Sequence, residues 1–262
     1  MNVLDLFSGI GGFSLGLKRA GMTTVGFCEI DPYCRAVLRK HWPEVAIYDD
    51  VKTIPRIGGI DLICGGFPCQ PFSVAGRKHG SADDRHLWPS MFEIIKRERP
   101  AWVIGENVAG LVKLGLDLVL SDLESEGYSC RSFIIPALAV GAPHRRDRVW
   151  IVAHSDCVNG RSKSQQPNNK IGKAFYDESI GGCADVAHTS GEDVEGLRLP
   201  LGIQPERDTP RGPSWWAFES NVGRVAHGLP RRVDRLKALG NAVVPQVVEK
   251  IGKAIMELTN EH

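Results

Sequence analysis

The chain contains no apolar run long enough to span a bilayer, and its opening, Met1-Asn2-Val3-Leu4-Asp5, lacks the basic stretch and apolar core of a secretory leader. A soluble, cytoplasmic protein without a membrane role is therefore expected. Its 7 cysteines are odd in number and irregularly spaced, which argues against a disulfide framework and for reduced thiols. An excess of one charge is also missing: 32 Lys and Arg against 31 Asp and Glu leave a formal net charge of +1. Composition alone thus does not announce nucleic acid, and any DNA-binding face must come from local clusters of basic residues. What is present is ordinary for a globular chain, with 42% hydrophobic and 24% charged residues, and 262 residues suffice for one large domain and a smaller one.

The first half alternates strand and helix patterns. Val3 to Phe7 reads as a short strand carrying one acid. Ser8-Gly9-Ile10-Gly11-Gly12 follows as a glycine loop, before the helical pattern of Phe13, Leu15, Leu17 and Ala20. Strand, glycine turn and helix form a nucleotide-type cradle, because glycine lets the backbone approach a ligand closely. The spacing departs from GxGxxG at Ser14, so the loop alone does not specify a dinucleotide. The next strand, Thr24 to Cys28, ends in Glu29, where an acid commonly accepts hydrogen bonds from a ribose. Asp31 caps a helix with Pro32 at its first position, running to about Trp42. A third strand, Val45 to Tyr48, ends in Asp49 and Asp50, which either receive an adenine amino group or belong to a solvated turn.

The most unusual stretch is Gly65-Gly66-Phe67-Pro68-Cys69-Gln70-Pro71-Phe72-Ser73, directly after the strand Asp61 to Cys64. Cys69 stands between two prolines at the carboxyl end of a strand, the edge where open α/β sheets bind ligands. Free cysteine is usually an inert buried hydrophobe, which suits Cys64, whereas Cys69 is a candidate nucleophile needing a partner. The polar segment from Ala75 to Arg85, bracketed by glycines, reads as a closing loop or as plain surface. After the helix Trp88 to Glu98, the strand Trp102 to Gly105 ends in Glu106-Asn107-Val108, which puts a carboxylate at the same sheet edge as the thiol. A helix from Leu114 to Glu126 and strands Cys130 to Pro136 and Val149 to Ala153 complete the pattern. Between those strands Arg145, Arg146 and Arg148 cluster, and Arg148 opens an apolar strand and so points into structure.

From His154 the composition turns polar, up to about Gly212. His154, Cys157, Cys183 and His188 do not have a standard zinc spacing, and no metal is expected. Trp215, Trp216 and Phe218 supply a small core or a stacking surface for bases, and Arg231, Arg232 and Arg235 suit phosphate contact or a solvated helix start. Gly240 to Pro245 leads into a closing helix, Gln246 to Leu258. Its apolar face, Val247, Val248, Ile251, Ile255 and Leu258, should pack back onto the first domain.

Taken in order, these motifs resemble the cytosine-5 DNA methyltransferase family of bacterial and phage type. DLFSGIGG from Asp5 to Gly12 resembles its first S-adenosylmethionine motif, and GFPCQPFS from Gly66 to Ser73 its nucleophile motif. ENV from Glu106 to Val108 resembles its glutamate motif, HRRDRVW with Arg146 and Arg148 its QxRxR motif, and GNAVVP from Gly240 to Pro245 its last motif. The resemblance implies an α/β, Rossmann-like methyltransferase with a seven-stranded sheet formed by residues 1–153 and 236–262, and a small target-recognition region over 154–235.

By position it implies Cys69 as nucleophile, Glu106 as the residue that binds and protonates ring nitrogen 3, Arg148 on the cytosine carbonyl, and Arg146 supporting the loop. It implies Phe7, Gly9 and Gly11 around the methionine end of S-adenosyl-L-methionine, Glu29 on its ribose, Asp50 on its adenine, and Asn241 stabilising the sheet and cofactor pocket. The implied partner is double-stranded DNA, the implied setting a restriction-modification system, with or without a cognate restriction endonuclease, and the implied state is a monomer. An RNA cytosine methyltransferase or a non-catalytic DNA-binding relative are the alternatives. Two departures are visible: His144 stands where the family has glutamine, and the RxxxxLP-type motif is reduced to Gly228-Leu229-Pro230.

Overall fold

The computed structural model describes residues 1–68, 87–155, 184–185 and 232–260. Cys69 and the loop to Arg85, Cys157, Cys183, His188, the aromatic residues Trp215, Trp216 and Phe218, and Gly228 to Arg231 lie outside the described residues.

The described chain forms one sheet from β1 (Asn2–Leu6), β2 (Thr23–Cys28), β3 (Ala46–Tyr48), β4 (Leu62–Gly65), β5 (Trp102–Val108), β6 (Tyr128–Pro136), β7 (Asp147–Ser155) and a two-residue β8 (Ala184–Asp185). Their order is β3-β2-β1-β4-β5-β7-β6-β8. The first five are mutually parallel, while β7 runs antiparallel to both β5 and β6. The seven-stranded expectation is thus met, with β8 added at one edge against β6.

Parallel strands are covered on both faces, so their sequences are nearly continuous apolar runs whose alternate residues serve different layers. Leu4, Ile63 and Val103 enter one core with Trp88, Met91, Ile95 and Leu123 from helices α3 (Trp88–Glu98) and α5 (Leu116–Ser125). Their chain neighbours Val3, Leu62 and Ile104 enter the other, with Leu17 of α1 (Gly12–Arg19) and Val247, Val248, Ile251 and Ile255 of α7 (Pro245–Asn260). The closing helix therefore packs back as its apolar stripe required.

Two differences from the sequence reading are local. The helix expected over 114–126 is α5, preceded by a short α4 (Leu111–Leu114) from which Gly115, at φ 177°, separates it. Arg232 and Arg235, read as phosphate contacts or a solvated helix start, lie in a helix, α6 (Arg232–Asn241). Asp31 caps α2 (Pro32–His41) as expected, its Oδ1 accepting from the N–H groups of Tyr33 at 2.8 Å and Cys34 at 3.3 Å. Among the described residues no helix is long and apolar enough to cross a membrane.

The chain leaves β1 toward β2 on one side and later returns to place β4 on the other. The carboxyl ends of β1 and β4 therefore flank a crevice where the strand order reverses.

Candidate active site

The loop after β1 builds one wall of that crevice. Phe7 and Gly9 both sit at φ 54°, a left-handed conformation uncommon for a phenylalanine and concentrated at functional loops. The Ser8 N–H donates to the Cys28 carbonyl at 3.1 Å, tying the loop to β2. Glu29, buried at the end of β2, accepts from the Gly9 N–H through Oε2 and from the Asp31 N–H through Oε1, each at 2.7 Å. An ionised carboxylate has about four acceptor positions, so two remain for a ligand hydroxyl. Asp50 uses Oδ1 to accept from the Lys52 N–H at 2.9 Å, so it closes a turn and also borders the crevice.

The opposite wall comes from the ends of β4, β5 and β7. Glu106 is buried, and its Oε1 lies 3.0 Å from Arg148 Nε. Burial raises the Glu106 carboxyl above its ordinary value, even though Arg148 and Arg146 pull it down. Arg146, at φ 42°, donates from Nη2 to the carbonyls of Gly240 at 2.9 Å and Ala242 at 2.8 Å, and burial holds its guanidinium below the usual value. The arginine thereby joins the β7 entry to the Gly240–Pro245 segment. Asn107 donates from Nδ2 to the Phe67 carbonyl at 2.8 Å, and the Phe67 ring stacks at a tilt on Trp88, centroids 5.0 Å apart. The Pro68 carbonyl accepts from the Leu87 N–H at 3.3 Å, so both ends of the 69–86 segment meet at this wall.

These walls enclose a cavity of about 630 Å³, within the range of small-molecule sites. It brings together Phe7, Gly9, Glu29, Asp50, Glu106, Arg146, Arg148 and Asn241, eight of the ten residues singled out from the sequence. Cys69 lies outside the described residues, although Pro68, which precedes it, lines the cavity. Gly11 faces elsewhere: at φ 86° it caps α1, and a Cβ there would come within 2.7 Å of the Trp42 ring. Its role is close packing behind the loop.

Sequence reasoning missed Asp31, Asn107 and Lys237 as cavity residues. Asp31 was read only as a helix cap, yet its Oδ2 also pairs with Lys237 Nζ at 3.1 Å across the cavity mouth. The cavity is polarised. Glu29, Asp31, Asp49 and Asp50 border the β2 and β3 side, and Arg146 and Arg148 the β5 and β7 side.

Among the described residues, the thiols of Cys28 and Cys34 line it, but burial and neighbouring carboxylates push them up to about 12 and about 11, so neither is an available thiolate. Cys64 is fully buried, its thiol also pushed well up, as its place in an apolar strand led one to expect.

Residues 1–190 match the C-5 cytosine-specific DNA methylase family. This chain belongs to that family. The methylase chain is 32% identical to the Type II methyltransferase M.NgoMIV of Neisseria gonorrhoeae, over 97% of this chain and 96% of the relative. It is 41% identical to the Type II methyltransferase M2.BsuMI of Bacillus subtilis (strain 168), over 58% of this chain and only 42% of the relative, so it spans less than half of that protein's length. Among solved structures, it resembles a putative DNA modification methyltransferase encoded within an Escherichia coli prophage. There the TM-score is 0.52 and the identity 25%, covering 67% of this chain and 54% of the other.

The family depends on S-adenosylmethionine, and this methylase's cavity fits such a group. A side chain at Gly9 would meet nothing within 4 Å, so the loop backbone faces open space, and the amide-anchored Glu29 offers acceptors to a ribose.

Proposed function

We propose that this chain is a DNA (cytosine-5-)-methyltransferase that uses Cys69 as nucleophile and Glu106 as acid on a cytosine flipped out of duplex DNA. The observation that carries the proposal is Glu106. It is a buried carboxyl with a raised pKa, aligned by Arg148, at the end of a nucleoside-sized cavity whose lining includes the residue before Cys69.

The chemistry requires this set. Carbon 5 of cytosine is too weak a nucleophile to accept a methyl group directly. The Cys69 thiolate adds to carbon 6, forming a C–S bond and moving the ring electrons onto carbon 5, while the Glu106 proton passes to nitrogen 3 and prevents charge from building there. Phe7, Gly9, Glu29, Asp50 and Asn241 would hold S-adenosyl-L-methionine, whose sulfonium would supply the methyl group to carbon 5 and leave as the thioether. A base then removes the carbon 5 proton, the C–S bond breaks to return the thiolate, and the proton on nitrogen 3 goes back to Glu106. A carboxyl whose proton affinity is raised by burial is better suited to donating that first proton than an ordinary one.

Arg148 aligns Glu106 and directs guanidinium N–H groups toward the cytosine carbonyl oxygen. Arg146, clamped on two backbone carbonyls, fixes the segment that carries Asn241. An unperturbed thiol is only slightly ionised at pH 7, and the two arginines at this wall favour the thiolate. Flipping the base costs a few kcal/mol, met by pocket contacts.

Residues 1–153 and 236–262 are assigned to catalysis and 154–235 to target recognition. The contacts of Lys237 and Gly240 with the first part of the chain support that division. The Type II designation of the relatives supports a restriction-modification setting with a companion endonuclease, and the chain is assigned as a monomer.

The test is transfer of labelled methyl from S-adenosylmethionine to unmethylated genomic DNA, with base-resolution mapping of 5-methylcytosine and Cys69→Ala in parallel. A recurring methylated sequence, lost in Cys69→Ala while cofactor binding persists, is the expected result. Label on RNA alone, or normal turnover by Cys69→Ala, would overturn the proposal.

A further inference from the structure

The two groups that act on the cytosine ring must grip it from opposite edges, since nitrogen 3 and carbon 6 face each other across the six-membered ring. Their separation is therefore as important as their identity, and a misplacement of about 1 Å can lower a rate about 100-fold. Glu106 stands on β5, whereas Cys69 follows the turn Gly66–Pro68 after β4. Adjacent parallel strands end near each other, but the sheet ladder itself stops at the Gly65–Gly105 pair. Beyond that pair another contact has to hold the turn.

One side chain supplies a hydrogen bond there, beside the Phe67–Trp88 ring contact and the Leu87 N–H bond to the Pro68 carbonyl. Asn107, next to Glu106, is buried. Its Nδ2 donates to the Phe67 carbonyl at 2.8 Å, and its Oδ1 accepts from the Val108 N–H at 2.9 Å. With a donor needed on one side and an acceptor on the other, both ends of the carboxamide are used, and the amide orientation is fixed by its partners. The turn is close-set as well: a Cβ on Gly66 would come within 3.3 Å of Glu106 Oε2.

We infer that Asn107 is a positioning residue that sets the distance between the Glu106 carboxyl and the turn that delivers Cys69. The inference rests on the methyltransferase reading above. Aspartate in its place has the same shape but no N–H, so it would set a carboxylate oxygen against the Phe67 carbonyl and push the turn off Glu106. Alanine would release the turn without repulsion.

The test uses the full chain and three measurements on wild type, Asn107→Asp and Asn107→Ala. They are the dissociation constant for S-adenosylmethionine, the single-turnover rate of methyl transfer to DNA, and the rate of stable covalent adduct formation with DNA carrying 5-fluorocytosine, in which fluorine replaces the carbon 5 proton so that the C–S bond cannot be released. The expected result is cofactor affinity within about threefold of wild type, with methyl transfer and adduct formation both slowed about 100-fold in Asn107→Asp and less in Asn107→Ala. If Asn107→Asp does not fold, Asn107→Ala carries the test with the same readouts. Unchanged adduct formation, or a loss of cofactor affinity equal to the loss of rate, would overturn the inference, because the residue would then act on another step or on the fold as a whole. A wild-type protein that forms no adduct and methylates no cytosine would instead overturn the reading of the site.

Discussion

Asp5 lies wholly buried in β1, with Oδ2 accepting from the Ser14 N–H at 3.2 Å and the Ser14 hydroxyl at 2.7 Å. The Thr24 hydroxyl donates in turn to Ser14 Oγ at 2.9 Å. Its other oxygen, Oδ1, has no conventional partner, which a neutral carboxyl tolerates far better than a carboxylate. Burial outweighs the bonds from Ser14 and pushes the carboxyl up to about 7. In the unfolded chain the same group titrates near ~3.9. Between those values the folded protein holds a proton that the unfolded chain has released. Stability from this group is therefore fully present below pH ~4 and is lost as pH rises to about 7.

A difference of about three pH units corresponds to roughly 4 kcal/mol in all, and to about 1.4 kcal/mol for each unit crossed within the window. Asp5→Asn keeps an acceptor for Ser14 and removes the titration. Urea unfolding of both proteins at pH 5, 6, 7 and 8 should show wild type losing about 2–3 kcal/mol relative to the variant between pH 5 and 7, and only a few tenths more by pH 8. Other titrating groups, Glu106 among them, cancel in the difference. A constant difference across the series would refute a neutral Asp5.

Gly16→Ala would place a Cβ 2.5 Å from the Pro245 carbonyl and 2.6 Å from the Val248 Cβ, forcing α7 away from α1. A loss of roughly 1–3 kcal/mol is expected, and a thermal midpoint equal to wild type would contradict the packing described. For Glu106, whose carboxyl burial raises, the rate of the chemical step in wild type should fall as pH rises through that raised value. Glu106→Gln should be slower at every pH and lack that dependence; an unchanged single-turnover rate would remove the residue from its role.

The strands were legible because parallel strands covered on both faces must be apolar along their length and end in turn residues, as Asp61 to Cys64 before Gly65 and Gly66 does. Helix α2 was legible through its Asp31-Pro32 start. What escaped the sequence depends on partners distant in the chain. The glycines after β1 look alike on paper, but Gly9 faces the cavity while Gly12 and Gly16 make room for Val243 and Pro245. The second ligand of Asp31 is Lys237, and no local pattern joins residues so far apart. Nor does any local pattern announce that β7 enters between β5 and β6. Asn107 was quoted as part of a motif, but its clasp on Phe67 needed the two strand ends side by side.

The contact of α1 with α7 also has a temporal consequence. Leu17 and Gly16 emerge early in synthesis, whereas Val248 and Gly252, which cover them, come more than two hundred residues later. At about 5–20 residues per second, that apolar face waits roughly ten to fifty seconds on the ribosome for its cover. Over that interval the apolar face of α1 lacks the helix that covers it. Docking of α7 is then what covers that face, so shortening the chain within α7 should lower the stability of the α1 layer.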